Sequence, residues 1–88
     1  MKIIKIGAIW CPGCLVMKKV WNNILKEDDL DITELDYDMD APKVLEYNVG
    51  EILPVIIFVS DKGDEIDRLI GEQKEDTIVD LIEKYRVM

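Results

Sequence analysis

Both cysteines of the chain lie in the segment "AIWCPGCLVM", as Cys11 and Cys14, with a Pro-Gly pair between them. Two thiols at this spacing can form a reversible disulfide, supply half of a metal site, or simply pack in a core. The chain contains no histidine. A Cys-His catalytic dyad is therefore excluded, and a closed zinc site would need carboxylates or a second subunit.

The choice between these chemistries depends on the elements that position the pair. The run Lys2–Ile6 is rich in isoleucine and is followed by a glycine, which predicts a buried strand. From Pro12 onwards, apolar residues recur at three- and four-residue steps as far as Leu25. This pattern predicts a helix with one buried face that ends near residues 26–29. Cys11 is then expected at the point where strand gives way to helix.

A helix N-terminus has free N–H groups and a positive end, which stabilise an anion such as a thiolate. At such a position, a C-x-x-C cysteine can have a pKa well below the ordinary value. Cys14 lies one turn further along the same face, so the two sulfurs can join or part with little backbone movement. We expect an exposed Cys11 to attack a partner's disulfide and Cys14, hidden by Leu15 and the buried helix face, to resolve the mixed disulfide.

The remaining periodicity completes the order β-α-β-α-β-β-α. The predicted elements are a strand over Asp31–Tyr37, a short helix from Pro42 through Tyr47, a strand over Val55–Val59, its antiparallel partner over Glu65–Ile70, and a last helix whose buried face comprises Ile78, Leu81, Ile82 and Tyr85. The continuous β-branched run at Val55–Val59 is typical of a strand covered on both faces. An α/β fold follows, a four-stranded mixed sheet with helices on both faces, as a single domain over residues 1–88.

The net charge of −8 argues against nucleic acid and against an anionic membrane as partners. No stretch approaches the roughly 18 apolar residues of a membrane helix. The start "MKIIKIGAIW" resembles a signal peptide, but Lys5 interrupts its apolar run and no cleavage site precedes the cysteines. We expect a cytoplasmic, monomeric protein; a domain of a longer, exported protein is the alternative.

Three segments, "WCPGC", "LPVIIF" and "DKGDEIDRLIG", resemble the thioredoxin superfamily. They correspond to its W-C-G-P-C site, its strand opened by a cis proline, and the hairpin with the glycine that follows. The resemblance spans nearly the whole chain, which does not include the N-terminal βα unit of full-length thioredoxins. It implies a thioredoxin-like fold and a thiol-disulfide oxidoreductase that contributes to cell redox homeostasis. Such a protein acts on protein disulfides and is reduced again by a reductase or thiol donor. It needs no cofactor or metal beyond its own disulfide.

The same resemblance assigns roles to individual residues. It makes Cys11 the nucleophile and Cys14 the resolving thiol. A cis Leu53–Pro54 bond would lie against the pair, with the Leu53 backbone pairing to an extended substrate segment and Gly71 leaving room for it. On sequence grounds alone, Pro54 reads as an ordinary strand-opening proline.

An apolar docking rim would come from Trp10 and Pro12, together with Ile9. The alternative for Trp10 is a half-buried packing residue.

Lys5 and Gly13 depart from the families that the chain resembles and are predicted to tune the redox chemistry. Lys5 lies six residues before the first cysteine, where thioredoxins carry a buried acid. A lysine there favours a thiolate rather than accepting its proton, unless it points to solvent or pairs with an acid such as Asp36. Glutaredoxins share the proline at Pro12, but their C-P-Y-C aromatic is Gly13 here. Glutathione coupling and a thiolate metal-carrier module are the alternative functions.

Overall fold

The computed structural model describes residues 1–27 and 29–87. Its elements are β1 (Lys2–Gly7), α1 (Pro12–Glu27), β2 (Ile32–Asp36), α2 (Ala41–Glu46), β3 (Val55–Val59), β4 (Glu65–Ile70) and α3 (Glu75–Arg86). The predicted order of elements is confirmed, and the bounds differ from those predicted by one residue at the end of β1 and by one residue at each end of β2 and α2. The predicted end of the first helix includes residue 28, which lies outside the described residues, as does residue 88 of the predicted domain.

The four strands form one mixed sheet in the order β2-β1-β3-β4. β1 runs parallel to β2 and antiparallel to β3, and β3 pairs antiparallel with β4. The register of the parallel pair places Lys5 of β1 directly beside Glu34 of β2. The predicted α/β fold with a four-stranded mixed sheet is therefore confirmed.

A core lies on each face of the sheet, as predicted. The first core joins β1 and β3 to α1 and α3 through the buried residues Ile3, Met17, Trp21, Ile24, Ile56, Phe58, Ile78, Ile82 and Tyr85. The second joins the other face to α2 through Ile4, Ile6, Leu35, Val44, Val55, Ile57 and Val59. Because β3 contributes to both cores, every one of its residues is buried.

The first helix buries a narrower stripe than its apolar pattern predicts. Met17, Trp21 and Ile24 face the sheet and are buried. Val16 and Leu25, which the pattern places on the same face, are 57% and 42% exposed, because they lie at the two edges of the stripe centred on Met17, Trp21 and Ile24. Along the described parts of the chain, no helix combines the length and apolar character needed to cross a membrane.

Candidate functional site

The two cysteines lie at the junction of β1 and α1. After Gly7 the chain turns, and the N–H of Cys11 donates to the carbonyl of Ala8 at 3.2 Å. Pro12 is the first helical residue, where its missing N–H leaves no donor unsatisfied. The N–H of Cys14 donates to Sγ of Cys11 at 3.2 Å. The Cys11 sulfur thus occupies the place of a capping side chain and accepts one of the free donors of the helix.

Both thiols are free, and their exposure is the reverse of the prediction. Cys11 is only 4% exposed, whereas Cys14 is partly exposed. The predicted exposed Cys11 and hidden Cys14 are therefore wrong. The Cys11 sulfur turns towards the first turn of α1, and the largely exposed Leu15 does not cover Cys14.

Gly7 makes room for Cys14. A Cβ placed on Gly7 would lie 3.0 Å from Cys14 Sγ, closer than ordinary van der Waals contact between carbon and sulfur allows. The end of β1 and the first turn of α1 can approach this closely only because residue 7 has no side chain. Gly7 was not predicted as a site residue, since its sequence context marks it only as the end of a strand.

The two thiols differ in their electrostatic surroundings. Burial raises the pKa of Cys14 from 9.0 to about 11, and the hydrogen bond with Cys11 contributes to that rise. The charge of Lys5 acts in the opposite sense and lowers it. Cys14 is therefore a neutral thiol near pH 7, while the sulfur of Cys11 faces a backbone donor that favours negative charge.

Lys5 lies close to this pair and is held by two contacts. Its ammonium donates to Glu34 Oε1 at 2.9 Å and lies 4.9 Å from the centroid of the Trp21 ring. The predicted pairing with an acid is therefore found, but the acid is Glu34 and not Asp36. Lys5, Cys14 and Glu34 line one pocket of about 390 Å³. Glu34 was missed because the register of the parallel strands, which places it beside Lys5, is not visible in either strand alone.

Pro54 packs against the turn between the cysteines. The Leu53–Pro54 peptide bond is cis, as the resemblance implied. Pro54 Cδ lies 3.3 Å from the position of a Cβ on Gly13, and the Pro54 carbonyl accepts a hydrogen bond of 2.8 Å from the N–H of Gly71. Within the described part of the chain, the backbone of Leu53 makes no hydrogen bond. The structure thus brings the predicted residues of three separate segments together beside Cys14.

The two glycines of this region are favoured for different reasons. A Cβ on Gly13 would lie 3.1 Å from Cγ and from Oε1 of Glu72, so a side chain there would require the Glu72 side chain to shift. Gly71 has a φ of +86°, and a Cβ there would meet only Ile52 at 3.8 Å. Its backbone conformation, rather than a lack of space, therefore requires glycine.

The predicted docking rim is largely exposed. Ile9 is 85% and Trp10 57% exposed, and Pro12 is exposed as well. The indole Nε1 of Trp10 donates to Asp38 Oδ2 at 2.7 Å, and its ring meets that of Tyr37 edge-on at 5.9 Å. Trp10 is therefore anchored at one edge while its remaining surface faces solvent.

Within residues 1–27 and 29–87, no group of three or more His, Cys, Asp or Glu residues is arranged to hold a metal ion.

Comparisons with known proteins agree on one family. The family model described as Thioredoxin matches residues 1–84. The chain is 24% identical over 87 residues to a thioredoxin of Staphylococcus saprophyticus, covering 97% of this chain and 82% of that protein. It is 28% identical over 75 residues to Thioredoxin H4 of Arabidopsis thaliana, covering 84% of this chain but only 62% of that protein.

Solved structures give the same result. A mutant thioredoxin from Halobacterium salinarum superposes with a TM-score of 0.85 at 26% identity, over 96% of this chain and 73% of that one. Thioredoxin 1 from Thermosipho africanus superposes with a TM-score of 0.82 at 25% identity, over 97% and 93% of the two chains. The predicted fold and the stated resemblance are both confirmed.

Proposed function

The chain belongs to the thioredoxin family, whose members are protein-disulfide oxidoreductases, and from this premise we propose that it reduces protein disulfides through Cys11 and Cys14. The observation that carries this proposal is the hydrogen bond from the Cys14 N–H to Cys11 Sγ at 3.2 Å. It favours a thiolate at Cys11, and the thiolate is the form of cysteine that attacks a disulfide.

The reaction has two exchange steps. In the first, the Cys11 thiolate attacks one sulfur of the partner's disulfide. A bond forms between Cys11 and that sulfur, the partner's S–S bond breaks, and its second sulfur leaves and takes up a proton.

In the second step, Cys14 loses its proton and attacks Cys11 Sγ. The Cys11–Cys14 disulfide forms, and the first sulfur of the partner leaves and is protonated. The partner departs with two thiols: the two electrons come from Cys11 and Cys14, and the two leaving sulfurs take up their protons from the surrounding water. A dithiol donor or a reductase then returns the protein to its reduced form.

The surface beside the pair suits an extended substrate segment. The Leu53 backbone, which forms no hydrogen bond within the described residues, would pair with that segment. The exposed side chains of Ile9 and Trp10 would contact its apolar residues. We place this activity in the cytoplasm, where a reducing pool keeps thiols reduced, and expect the protein to act as a monomer.

Trapping of the mixed disulfide tests the assignment of roles. A Cys14→Ser variant should accumulate a covalent adduct with a disulfide-bonded test protein, because the second step is blocked. A matched Cys11→Ser variant should accumulate none. Equal trapping by the two variants would contradict the roles given to the cysteines.

The reduction potential tests the direction of exchange. Wild-type protein, freed of metal, would be equilibrated with dithiothreitol buffers and its disulfide content measured. A potential near about −270 mV supports a reductant, whereas a value near about −120 mV supports a protein that donates disulfides. Failure to form the disulfide at any buffer ratio would refute the redox function.

A further inference from the structure

An ion pair lies in the pocket beside Cys14. The Lys5 ammonium and the Glu34 carboxylate are 2.9 Å apart, and their side chains are 20% and 73% exposed respectively. The cation is therefore the inner member of the pair and the carboxylate the outer one. Trp21 closes the inner side, with its ring centroid 4.9 Å from the ammonium nitrogen.

Cys14 faces the same part of the sheet. Residues two apart on a strand point to the same face, so Lys5 and Gly7 share the face of β1 on which α1 packs. Gly7 is in close contact with Cys14 Sγ, and the Lys5 charge lowers the pKa of that thiol. The effect of the lysine on the resolving cysteine therefore depends on where its ammonium is held.

A lysine side chain needs a restraint to stay in this place. Its four-carbon stem is flexible, and its ammonium is strongly hydrated, so an unpaired lysine at the edge of a pocket extends into water. Glu34 is the described residue that forms an ion pair with Lys5. Strand register places the two directly opposite each other, and the pair therefore forms without distortion of either strand.

We propose that Glu34 is a positioning residue for the resolving step: it holds the Lys5 ammonium beside Cys14, where the cation stabilises the thiolate that attacks the mixed disulfide. This inference rests on the proposed function. In that step the proton of Cys14 passes to water in the open pocket, the Cys14–Cys11 bond forms, and the bond from Cys11 to the partner breaks. Glu34 takes no part in the bond changes and acts only through Lys5.

Several charged groups besides this pair line the pocket beside the thiol. The titratable and charged residues near Cys14 are Lys5 on β1, Cys11 and Lys18 on the α1 side, Glu34 and Asp36 on β2, and Asp40 in the loop that follows. No charged residue comes from the β3 side, which contributes Pro54, Val55 and Ile56 to the described lining of the pocket.

The two steps can be followed separately with 5,5′-dithiobis(2-nitrobenzoate), a chromogenic disulfide. Attack by Cys11 releases one coloured thiolate, and resolution by Cys14 releases the second. We expect Glu34→Gln to slow the second release by roughly two- to threefold, the effect of less than about half a pKa unit, and to move its pH profile to higher pH. The first release should be unchanged, which also verifies that the variant is folded.

A double-mutant cycle distinguishes positioning from a direct or purely structural role. Lys5→Met should slow the second release, and adding Glu34→Gln to that variant should have no further effect, because the carboxylate would have nothing left to position. Glu83→Gln on α3 removes the same charge far from the pocket and should match wild type.

Three results would overturn the inference: an unchanged or faster second release in Glu34→Gln, additive effects in the double variant, or an equal effect of Glu83→Gln. A wild-type protein that shows no second release at all would instead refute the proposed function. The two failures are therefore distinguishable in one experiment.

Discussion

Alkylation of the reduced protein tests most directly whether Cys11 and Cys14 differ in reactivity. The pKa of Cys14 is raised to about 11, so at pH 7 only about one Cys14 in ten thousand is a thiolate, against about one in a hundred for a thiol of pKa 9.0. The more basic thiolate is also more nucleophilic, by about tenfold over two pKa units. Cys14 should therefore react with iodoacetamide about tenfold more slowly than an ordinary cysteine at pH 7.

The alkylation rate of Cys14 should increase with pH. Burial disfavours the charged form of Cys14, so its thiolate fraction should rise about tenfold per pH unit and level off only near pH 11. The first alkyl group added at pH 7 should be found on Cys11, even though its sulfur is the less exposed of the two.

Both cysteines lie in the tryptic segment "IGAIWCPGCLVMK", residues 6–18, so the modified sulfur is assigned from fragment ions that separate the two. Fully unfolded protein in urea serves as the control, because there the two sites should react alike. First modification at Cys14, or a Cys14 rate that levels off near pH 9, would refute the reasoning from burial and hydrogen bonding.

Two further predictions concern contacts that support the site and the core. Gly7→Ala should destabilise the reduced protein by roughly 1–2 kcal/mol, measured by urea unfolding, because the added methyl group is forced against Cys14 Sγ. Tyr85→Phe should be less stable than wild type at pH 7, because the Tyr85 hydroxyl donates to Asp67 at 2.6 Å. That bond lowers the pKa of Asp67 below 3.8 and raises that of Tyr85 above 10.0. The difference in the free energy of unfolding between wild type and Tyr85→Phe should therefore vanish as the pH falls through the lowered pKa of Asp67. It should vanish again as the pH rises through the raised pKa of Tyr85.

Matched variants isolate these effects. Gly50→Ala adds a methyl group where no atom lies within 4 Å and should not lower stability. Tyr47→Phe removes a hydroxyl that makes no hydrogen bond among the described residues and should show no such pH dependence. Destabilisation by Gly50→Ala equal to that of Gly7→Ala would contradict the steric argument.

Periodicity was enough to predict the elements, because each depends on short-range pattern. The β-branched run at Val55–Val59 indicated a strand buried on both faces, and every residue of β3 is buried. The apolar residues at three- and four-residue steps indicated α1, although they overestimated its buried face at Val16 and Leu25. Local pattern shows which residues share a side of an element but not how much of that side the neighbouring elements cover.

The parts of the site that were missed depend on contacts between elements. Glu34 and Asp36 lie on the same face of β2, and only the register decides which one meets Lys5. The exposure of the two cysteines depends on the direction of each sulfur, and the closeness of β1 to α1 depends on Gly7.

The causes of the raised Cys14 pKa imply that this thiol ionises more easily once Cys11 has formed the mixed disulfide. Besides burial, the Cys14 pKa is raised by a hydrogen bond with Cys11 and by the charge of that residue. Once Cys11 is bonded to a partner, its sulfur carries no charge, so both of these effects are removed while the lowering effect of Lys5 persists. The first exchange step thus lowers the pKa of the group that performs the second. Since Cys14 attacks as a thiolate, the lifetime of the mixed disulfide should shorten as the pH rises.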